Sequence, residues 1–315
     1  MKKLALSPLK TPFEHCFEAV LANCAHWLGR DYQLMYLDEW GFDYGDWQQA
    51  GSFGKALNSY RNKVQPLKKY HGVLFHEQQG GFDDMMAYVD EILPHKPVVV
   101  RADSYFCPWD KSFRKHHNDR HTFCINGYDK QRQVLMFTDP FYHLEGIRFG
   151  CREFSAAFRG LYGCCDLVPY TLPKEGAAGL LYKRVKELIE QGTFEQMQQF
   201  ADDFIQYADV SAEMEDVYEC WKAPLFQNIK GFASSRARLP ALISYVLKAS
   251  GIKEEKTVLE LERIASEWMK LRDNCLKYLI SGSPRTKRSF ADDMKQMAEQ
   301  EKKAAQDIIS LLSGR

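Results

Sequence analysis

Three side chains in the first half of the chain have the types and the order of a cysteine nucleophile, its base and a group that orients the base. Cys16 precedes an amphipathic segment, His121 opens an apolar segment, and Asp139 ends the next one. A thiol at a helix start lies beside partial positive charge and unpaired N–H groups, which favour the thiolate and can receive a developing oxyanion. An imidazole can take the thiol proton, and a carboxylate can orient the imidazole. The sequence therefore predicts a nucleophile, a base and an orienting group, with the N–H of Cys16 as the one oxyanion donor it suggests.

Each of these residues also has a structural interpretation. A cysteine on an amphipathic helix usually packs in the core, and the other eight cysteines are expected to do so. His121 could be a structural histidine whose hydrogen bonds are satisfied, and Asp139 before Pro140 could begin a turn. The helix start at Cys16 and the order of the three residues favour the catalytic interpretation.

The segment before His121 also contains donors that suit a metal ion. All nine histidines lie in the first 143 residues, and His116, His117 and Asp119 come just before His121. Imidazole and carboxylate groups bind zinc or iron. Adjacent histidines point apart in regular structure, and no HExxH or CxxC spacing is present. We therefore predict no metal, and we expect residues 105–120 to form a lid that contacts the substrate.

Acidic and aromatic residues follow the strand predicted at 97–101. Asp103, Tyr105, Trp109 and Asp110 are the candidates for holding a cationic amine, because carboxylates and aromatic faces both attract cations. The alternative for Asp103 is structural: a carboxylate at a strand end can bind the neighbouring backbone. Both interpretations stay open at this point.

Periodicity places these residues on elements of a mixed α and β domain. Apolar residues at helical spacing predict a helix over 13–28 that stops at Gly29, and a second helix over 83–93. Residues 121–128 and 133–138 predict two strands joined by a turn, which brings Asp139 within about two positions of His121. A short helix near 152–158 and a strand near 165–170 complete the domain.

A boundary is predicted where Pro169, Pro173 and Gly176 cluster. We predict a catalytic domain over 1–172 and a helical domain over 173–315 that binds the substrate or its carrier. The predicted helices of the second domain are 178–191, 194–208, 211–221, 236–249, 254–280 and 288–312.

Charge and composition exclude several classes of function. The 42 basic and 42 acidic side chains balance, so the chain lacks the excess positive charge that binds nucleic acid or anionic membranes. No apolar run approaches the roughly 20 residues of a membrane span. Ser7, Pro8, Lys10 and Pro12 interrupt the region where a signal peptide is apolar. Nine cysteines without regular spacing indicate reduced thiols, so we expect a cytoplasmic protein.

Short segments around the three candidate residues carry a family resemblance. They are 15–21 (HCFEAVL), 99–105 (VVRADSY), 119–123 (DRHTF), 127–129 (GYD) and 137–140 (FTDP). Over about residues 13–170 the chain resembles the papain-like domain of the butirosin-biosynthesis acyltransferase family. It departs from that family at 106–110 (FCPWD), where the family has a plainer aromatic-proline pattern.

The resemblance implies both a fold and a reaction. The fold is α+β and papain-like, with an N-terminal helix and an antiparallel sheet, followed by an all-α region. The reaction is attack by Cys16 on a thioester carried by an acyl or peptidyl carrier protein, then transfer of the acyl group to an amine in a natural-product pathway. No cofactor is implied beyond the phosphopantetheine arm that presents the substrate.

Two alternatives keep the same fold. The chain could be a cysteine hydrolase or peptidase with the same three residues, or a non-catalytic binding module. If a carrier protein is the partner, its acidic surface could dock on the basic clusters at 230–238 or 285–288. Ordinary solvated charge at helix ends is the alternative for both clusters.

Overall fold

A computed structural model describes residues 2–11, 15–172, 176–214 and 216–313 and has an α+β architecture. The strands, numbered in chain order, are β1 Lys2–Lys3, β2 Asp43–Tyr44, β3 Leu57–Asn58, β4 Val73–Gln79, β5 Val98–Ala102, β6 His121–Asp129, β7 Val134–Asp139, β8 Leu144–Gly150 and β9 Phe158–Leu167. The α-helices are α1 Cys16–Trp27, α2 Trp47–Ala50, α3 Phe53–Ala56, α4 Val64–His71, α5 Phe82–Ile92, α6 Cys151–Ala157, α7 Gly176–Glu190, α8 Thr193–Tyr207, α9 Val210–Glu213, α10 Pro224–Arg236, α11 Leu239–Ala249, α12 Glu255–Ser281 and α13 Pro284–Leu312. Short 3₁₀ turns cover Gln33–Tyr36, Ser104–Phe106 and Val217–Lys222.

The chain divides into two compact units. The first contains Met1–Met35 and Lys63–Thr171, and the second contains Tyr36–Asn62 and Leu172–Arg315. The sequence predicts two continuous domains, 1–172 and 173–315. In the structure residues 36–62 group with the C-terminal helices instead. The reason lies in side-chain contacts with those helices, such as the hydrogen bonds that Arg236 donates to backbone carbonyls of this segment.

An antiparallel sheet forms the centre of the first unit. Its strand order is β4-β9-β5-β6-β7-β8, and β1 pairs with β6. The predicted hairpin is confirmed, since β6 and β7 pair in antiparallel register with Cys124 opposite Thr138. Val98, Val99 and Val100 of β5 are fully buried in the middle of the sheet. A run of β-branched residues buried on both faces stabilises a central strand.

Helix α1 lies against this sheet through small side chains. Ala19, Ala22 and Ala25 are fully buried, and residues of α1 contact β6. The helix ends where the sequence predicts, because Gly29 adopts a left-handed conformation with φ of 71°. Of its predicted start, Phe13 lies outside the described residues, and the helix begins at Cys16.

Four strands of the sheet differ from the prediction. The strand expected over 165–170 is the long β9, which runs over Phe158–Leu167. The edge strands β4 and β8 and the short β1 were not predicted. In β4 Val73 and Phe75 are buried, Leu74 is half-buried, and residues 76–79 are polar and exposed, so the apolar part is too short to be recognised from the sequence.

From α7 onward the helices follow the prediction except near prolines, whereas the short helices α2 and α3 of the second unit were not predicted. The predicted helix 211–221 is instead α9 and a 3₁₀ turn, and α10 begins at Pro224, where the sequence predicts a break. Pro224 lies in the first turn of α10, and Pro284 lies in the first turn of α13. Proline suits this position because the first N–H groups of a helix have no partner within it.

A buried ion pair removes one predicted docking cluster from the surface. Arg236 is fully buried and pairs with Glu301, whose carboxylate also accepts hydrogen bonds from the indoles of Trp40 and Trp268. Arg238 is buried as well. The predicted cluster at 230–238 is therefore wrong as a docking surface, because two of its three charges stabilise the interior.

The second basic cluster is only partly available. The ammonium of Lys287 donates to the carbonyl oxygen of Ala208 at 2.8 Å, which leaves Arg285 and Arg288 as its exposed cations. Among the described helices, none is both long enough and apolar enough to cross a membrane.

Candidate active site

Cys16 is the first residue of α1, as the sequence predicts. The preceding His15 has extended backbone angles and makes no side-chain capping bond to the helix. The Sγ atom of Cys16 lies 3.5 Å from the carbonyl oxygen of Arg120, directly before β6. Cys16 is partly exposed, whereas the other eight cysteines are buried. The thiol therefore combines a helix start with access to a ligand.

The chain that leads into α1 is held by side chains of the same unit. Thr138 on β7 donates its hydroxyl proton to the carbonyl of Leu6 at 2.8 Å. Asn23 on α1 accepts from the N–H of Leu9 at 2.8 Å. These bonds hold the approach to Cys16 against the hairpin and against the helix itself, so the position of the thiol is set by regular elements.

His121 and Asp139 form a buried pair at one end of the hairpin. The Nε2 atom of His121 lies 2.7 Å from Oδ2 of Asp139, and their side chains are 4% and 0% exposed. Antiparallel pairing explains the contact, because β6 begins at His121 and β7 ends at Asp139. The structure thus brings together the three residues that the sequence selected.

The hydrogen bonds of Asp139 determine which nitrogen of His121 faces the thiol. Oδ2 also accepts from the indole N–H of Trp109 at 2.8 Å, and Oδ1 accepts from the backbone N–H groups of Phe141 and Tyr142. Both oxygens are therefore surrounded by donors, so Nε2 of His121 must donate. The other ring nitrogen, Nδ1, is left for the thiol.

The electrostatics of the pair favour a protonated imidazole. Burial by itself lowers the pKa of His121, but hydrogen bonds to Asp139 and Cys16 outweigh it and raise the pKa to about 10. His121 consequently carries a proton at neutral pH. A positive imidazolium beside Cys16 stabilises negative charge on Sγ, and thiolate is the nucleophilic form.

Aromatic rings surround the imidazole. The ring centroids of Phe123 and Tyr142 lie 5.3 and 5.6 Å from that of His121, and Phe141 lies at 6.3 Å. These rings keep water from the His121–Asp139 bond, which strengthens its electrostatic part. Phe141 and Tyr142 were missed from the sequence, although both directly follow the Asp139-Pro140 pair.

Asp103, a predicted substrate contact, is engaged within the protein. It is 2% exposed and accepts from the N–H groups of Tyr105 and Asn118, from His117, and from Arg159. Burial raises the pKa of this carboxyl, but these donors prevail and hold it well below its usual range. This arrangement matches the structural alternative, in which Asp103 binds neighbouring backbone.

The other predicted substrate contacts lie in residues 104–118, which we call the Trp109 loop. Tyr105 stacks on His117 with 4.3 Å between ring centroids. Asp110 accepts from the N–H of Ser112 at 2.7 Å and from the hydroxyl of Tyr142 at 3.0 Å. Trp109 binds the pair through Asp139, so the structure places it beside the candidate chemistry but through an internal contact.

The donors that could have held a metal have other partners. His116 hydrogen bonds with Ser112, and His117 pairs with Asp103. Within the part of the chain that the structure describes, no three histidine, cysteine, aspartate or glutamate side chains form a group suited to a metal ion.

A family profile matches the first half of the chain. The profile of the Peptidase_C39 like family matches residues 6–163, which is about half of the chain and includes Cys16, His121 and Asp139. The match supports a papain-like cysteine peptidase-related chain and does not single out the butirosin-type acyltransferases. No curated protein matches the sequence.

Proposed function

The chain belongs to the Peptidase_C39 like family and is thus a papain-like cysteine enzyme, and we propose that it transfers acyl groups through Cys16. One observation carries this proposal: the His121 imidazole lies between the Asp139 carboxylate and the Cys16 thiol. A buried, oriented imidazole next to a partly exposed thiol at a helix start is the arrangement that activates a cysteine nucleophile.

The first half of the reaction acylates Cys16. The Sγ thiolate attacks the carbonyl carbon of a thioester, and the new carbon–sulfur bond places negative charge on the carbonyl oxygen. The N–H groups at the start of α1 are positioned to stabilise that oxyanion. As the tetrahedral intermediate collapses, the bond to the departing sulfur breaks, and the His121 imidazolium protonates the departing thiolate.

The second half transfers the acyl group to an amine. The neutral His121 takes a proton from the amine as its nitrogen attacks the acyl-Cys16 carbonyl. Collapse releases the amide and returns Sγ to the thiolate, with His121 again protonated. Asp139 keeps Nε2 protonated throughout, so that Nδ1 is the atom that gives and takes the proton.

The finer part of the proposal is that the acyl donor is a carrier-bound thioester and the acyl acceptor is an amine. Its support is the resemblance of the segments around the three residues to the butirosin-biosynthesis acyltransferases. The aromatic rings around His121 favour transfer as well, since an acyl-enzyme survives for an amine only when water is restricted. The substrate would arrive on the phosphopantetheine arm of a carrier protein, with no other cofactor.

A cysteine hydrolase or peptidase is the second candidate. The family match favours it, because that family is related to cysteine peptidases. Its first half-reaction would be the same, with a peptide or other acyl donor in place of the thioester. Water would then replace the amine in the second half.

One incubation separates the two candidates. A small N-acetylcysteamine thioester is supplied with and without a diamine, and the products are identified by mass spectrometry. Amide formation that rises with diamine concentration supports the transferase, whereas free acid alone at every diamine concentration would exclude it. Cys16→Ala is the control, and full turnover by that variant would remove Cys16 as the nucleophile.

A further inference from the structure

The Trp109 loop is closed at its base by one buried carboxylate. Asp103 accepts from Tyr105 N–H at the start of the loop at 3.0 Å and from Asn118 N–H at its end at 2.9 Å. Its second oxygen accepts from Arg159 on β9 at 2.7 Å. The two ends of residues 104–118 are therefore joined to each other and to the sheet, which restricts where the rest of the loop can lie.

The far part of the loop is attached to the end of β7 and to the turn that follows it by two hydrogen bonds. Trp109 donates to Oδ2 of Asp139 at 2.8 Å, and Tyr142 donates to Oδ2 of Asp110 at 3.0 Å. The indole also packs edge-on against Phe123, with ring centroids 5.4 Å apart. The loop thus delivers one N–H group to the carboxylate that orients His121.

Trp109 and His121 donate to the same oxygen. A carboxylate oxygen that accepts two hydrogen bonds divides its negative charge between them, so each bond is weaker than it would be alone. We propose that Trp109 is a positioning residue, held by the loop that Asp103 closes, and that its indole N–H sets how strongly Asp139 binds the imidazole of His121. This inference rests on the proposed function for its relevance to catalysis, but its geometry does not depend on the substrate.

Other titratable groups near the pair come from every element packed against it. They are Cys16 on α1, Cys107 and Asp110 in the Trp109 loop, Cys124 on β6, and Tyr142 after β7. Burial raises the pKa values of Cys107 and Tyr142, and contact with Cys24 raises that of Cys124. Each of these shifts favours the neutral form of the group concerned.

The test removes the N–H but keeps an aromatic ring. In Trp109→Phe, Oδ2 of Asp139 accepts a hydrogen bond from His121 alone, so the imidazole should hold its proton more tightly. We expect the NMR titration midpoint of ring-labelled His121 to rise by about half a pH unit or more, and its Nε2 proton to move downfield. Trp27→Phe is the matched control, because that indole donates to the carbonyl of Ala5 at 3.0 Å, away from Asp139.

A ring that keeps the bulk of tryptophan without its N–H separates the effect of the hydrogen bond from that of packing. If Trp109→Phe folds poorly, benzothienylalanine at position 109 keeps the bicyclic ring without the N–H and replaces it in the test. An unchanged or lowered midpoint in the ring-preserving variant would overturn the proposal.

The contribution of the loop closure is tested by a double-mutant cycle. Asp103→Asn puts an amide against Arg159 and loosens the loop, so it should shift the His121 midpoint in the same direction as Trp109→Phe, by less. In the Trp109→Phe background the same change should have no effect, because Asp103 acts through Trp109. An equal shift in both backgrounds would show that Asp103 acts independently. All titrations are made without substrate, so the expected shifts in a protein that lacks acyl-transfer activity would refute the proposed function alone.

Discussion

Replacing Asp139 by asparagine tests the central feature of the site. Its Oδ1 accepts from two backbone N–H groups, and its Oδ2 accepts from Trp109 and His121. Asparagine has one acceptor oxygen, so in either orientation its NH₂ group faces two donors. The variant therefore loses the charge that holds the imidazolium and also leaves one pair of donors unsatisfied.

The magnitude follows from the protonation of His121. A rise in the His121 pKa from 6.5 to about 10 corresponds to about 5 kcal/mol in favour of the protonated ring. Burial acts against this form, so without Asp139 only Cys16 remains to oppose burial, and the pKa should fall. We expect kcat/KM at neutral pH to decrease by about 10² to 10⁴-fold.

The stability effect has a definite sign. Because the folded-state pKa of His121 is raised, its stabilising contribution is fully present below about pH 6.5 and is lost as the pH rises through about 10. The free energy of unfolding of the wild type should therefore exceed that of Asp139→Asn most at pH 6, and the difference should shrink by pH 10.

The assay combines a pH profile of thioester turnover with denaturant unfolding at pH 6 and pH 10. Asp129→Asn is the matched control, since this aspartate lies on the same hairpin and pairs with Arg132 at the turn. Wild-type turnover by Asp139→Asn, with an unchanged alkaline limb, would refute the role of Asp139 in orienting and charging His121.

Three further predictions concern the nucleophile, the interior and the docking surface. Iodoacetamide should modify Cys16 before the buried cysteines, and His121→Gln should slow that reaction about tenfold or more at neutral pH, measured by intact mass. Arg236→Met leaves a buried carboxylate unpaired and should cost about 3–5 kcal/mol in denaturant unfolding; a loss below 1 kcal/mol would contradict the role of the pair. Reversing the charges of Arg285 and Arg288 should raise KM for a carrier-bound thioester, and an equal effect on a small thioester would exclude docking there.

The catalytic candidates could be predicted because the patterns that position them are local. An amphipathic segment after a proline-containing approach places Cys16 at a helix start. Two short apolar strands around a turn bring Asp139 next to His121, and antiparallel pairing leaves little freedom once the turn is known. The contact between Cys16 and His121 joins residues that are far apart in sequence, so periodicity cannot predict it. The prediction of this contact depended on the order of the residues in the family that the chain resembles.

The second unit shows where local patterns are misleading. Pro224 was interpreted as a break because proline interrupts a helix interior, yet it begins α10. Arg236 looked like surface charge, yet it is buried against Glu301. Both errors have one cause: the effect of a proline or an arginine depends on its position relative to neighbours that are distant in sequence.

The sequence alone determined which residue types were available and where α1, β6 and β7 lie, because these elements have patterns that depend on neighbours within a few positions. It selected Cys16, His121 and Asp139 on that basis. Only the tertiary structure decided the partners of Asp103 and Trp109, since loop closure brings together groups separated by many residues. Two predicted substrate contacts have internal roles instead: Asp103 closes the base of a loop, and Trp109 is a second donor to Asp139. The reason is that a buried carboxylate is stable only when donors from the surrounding fold satisfy it.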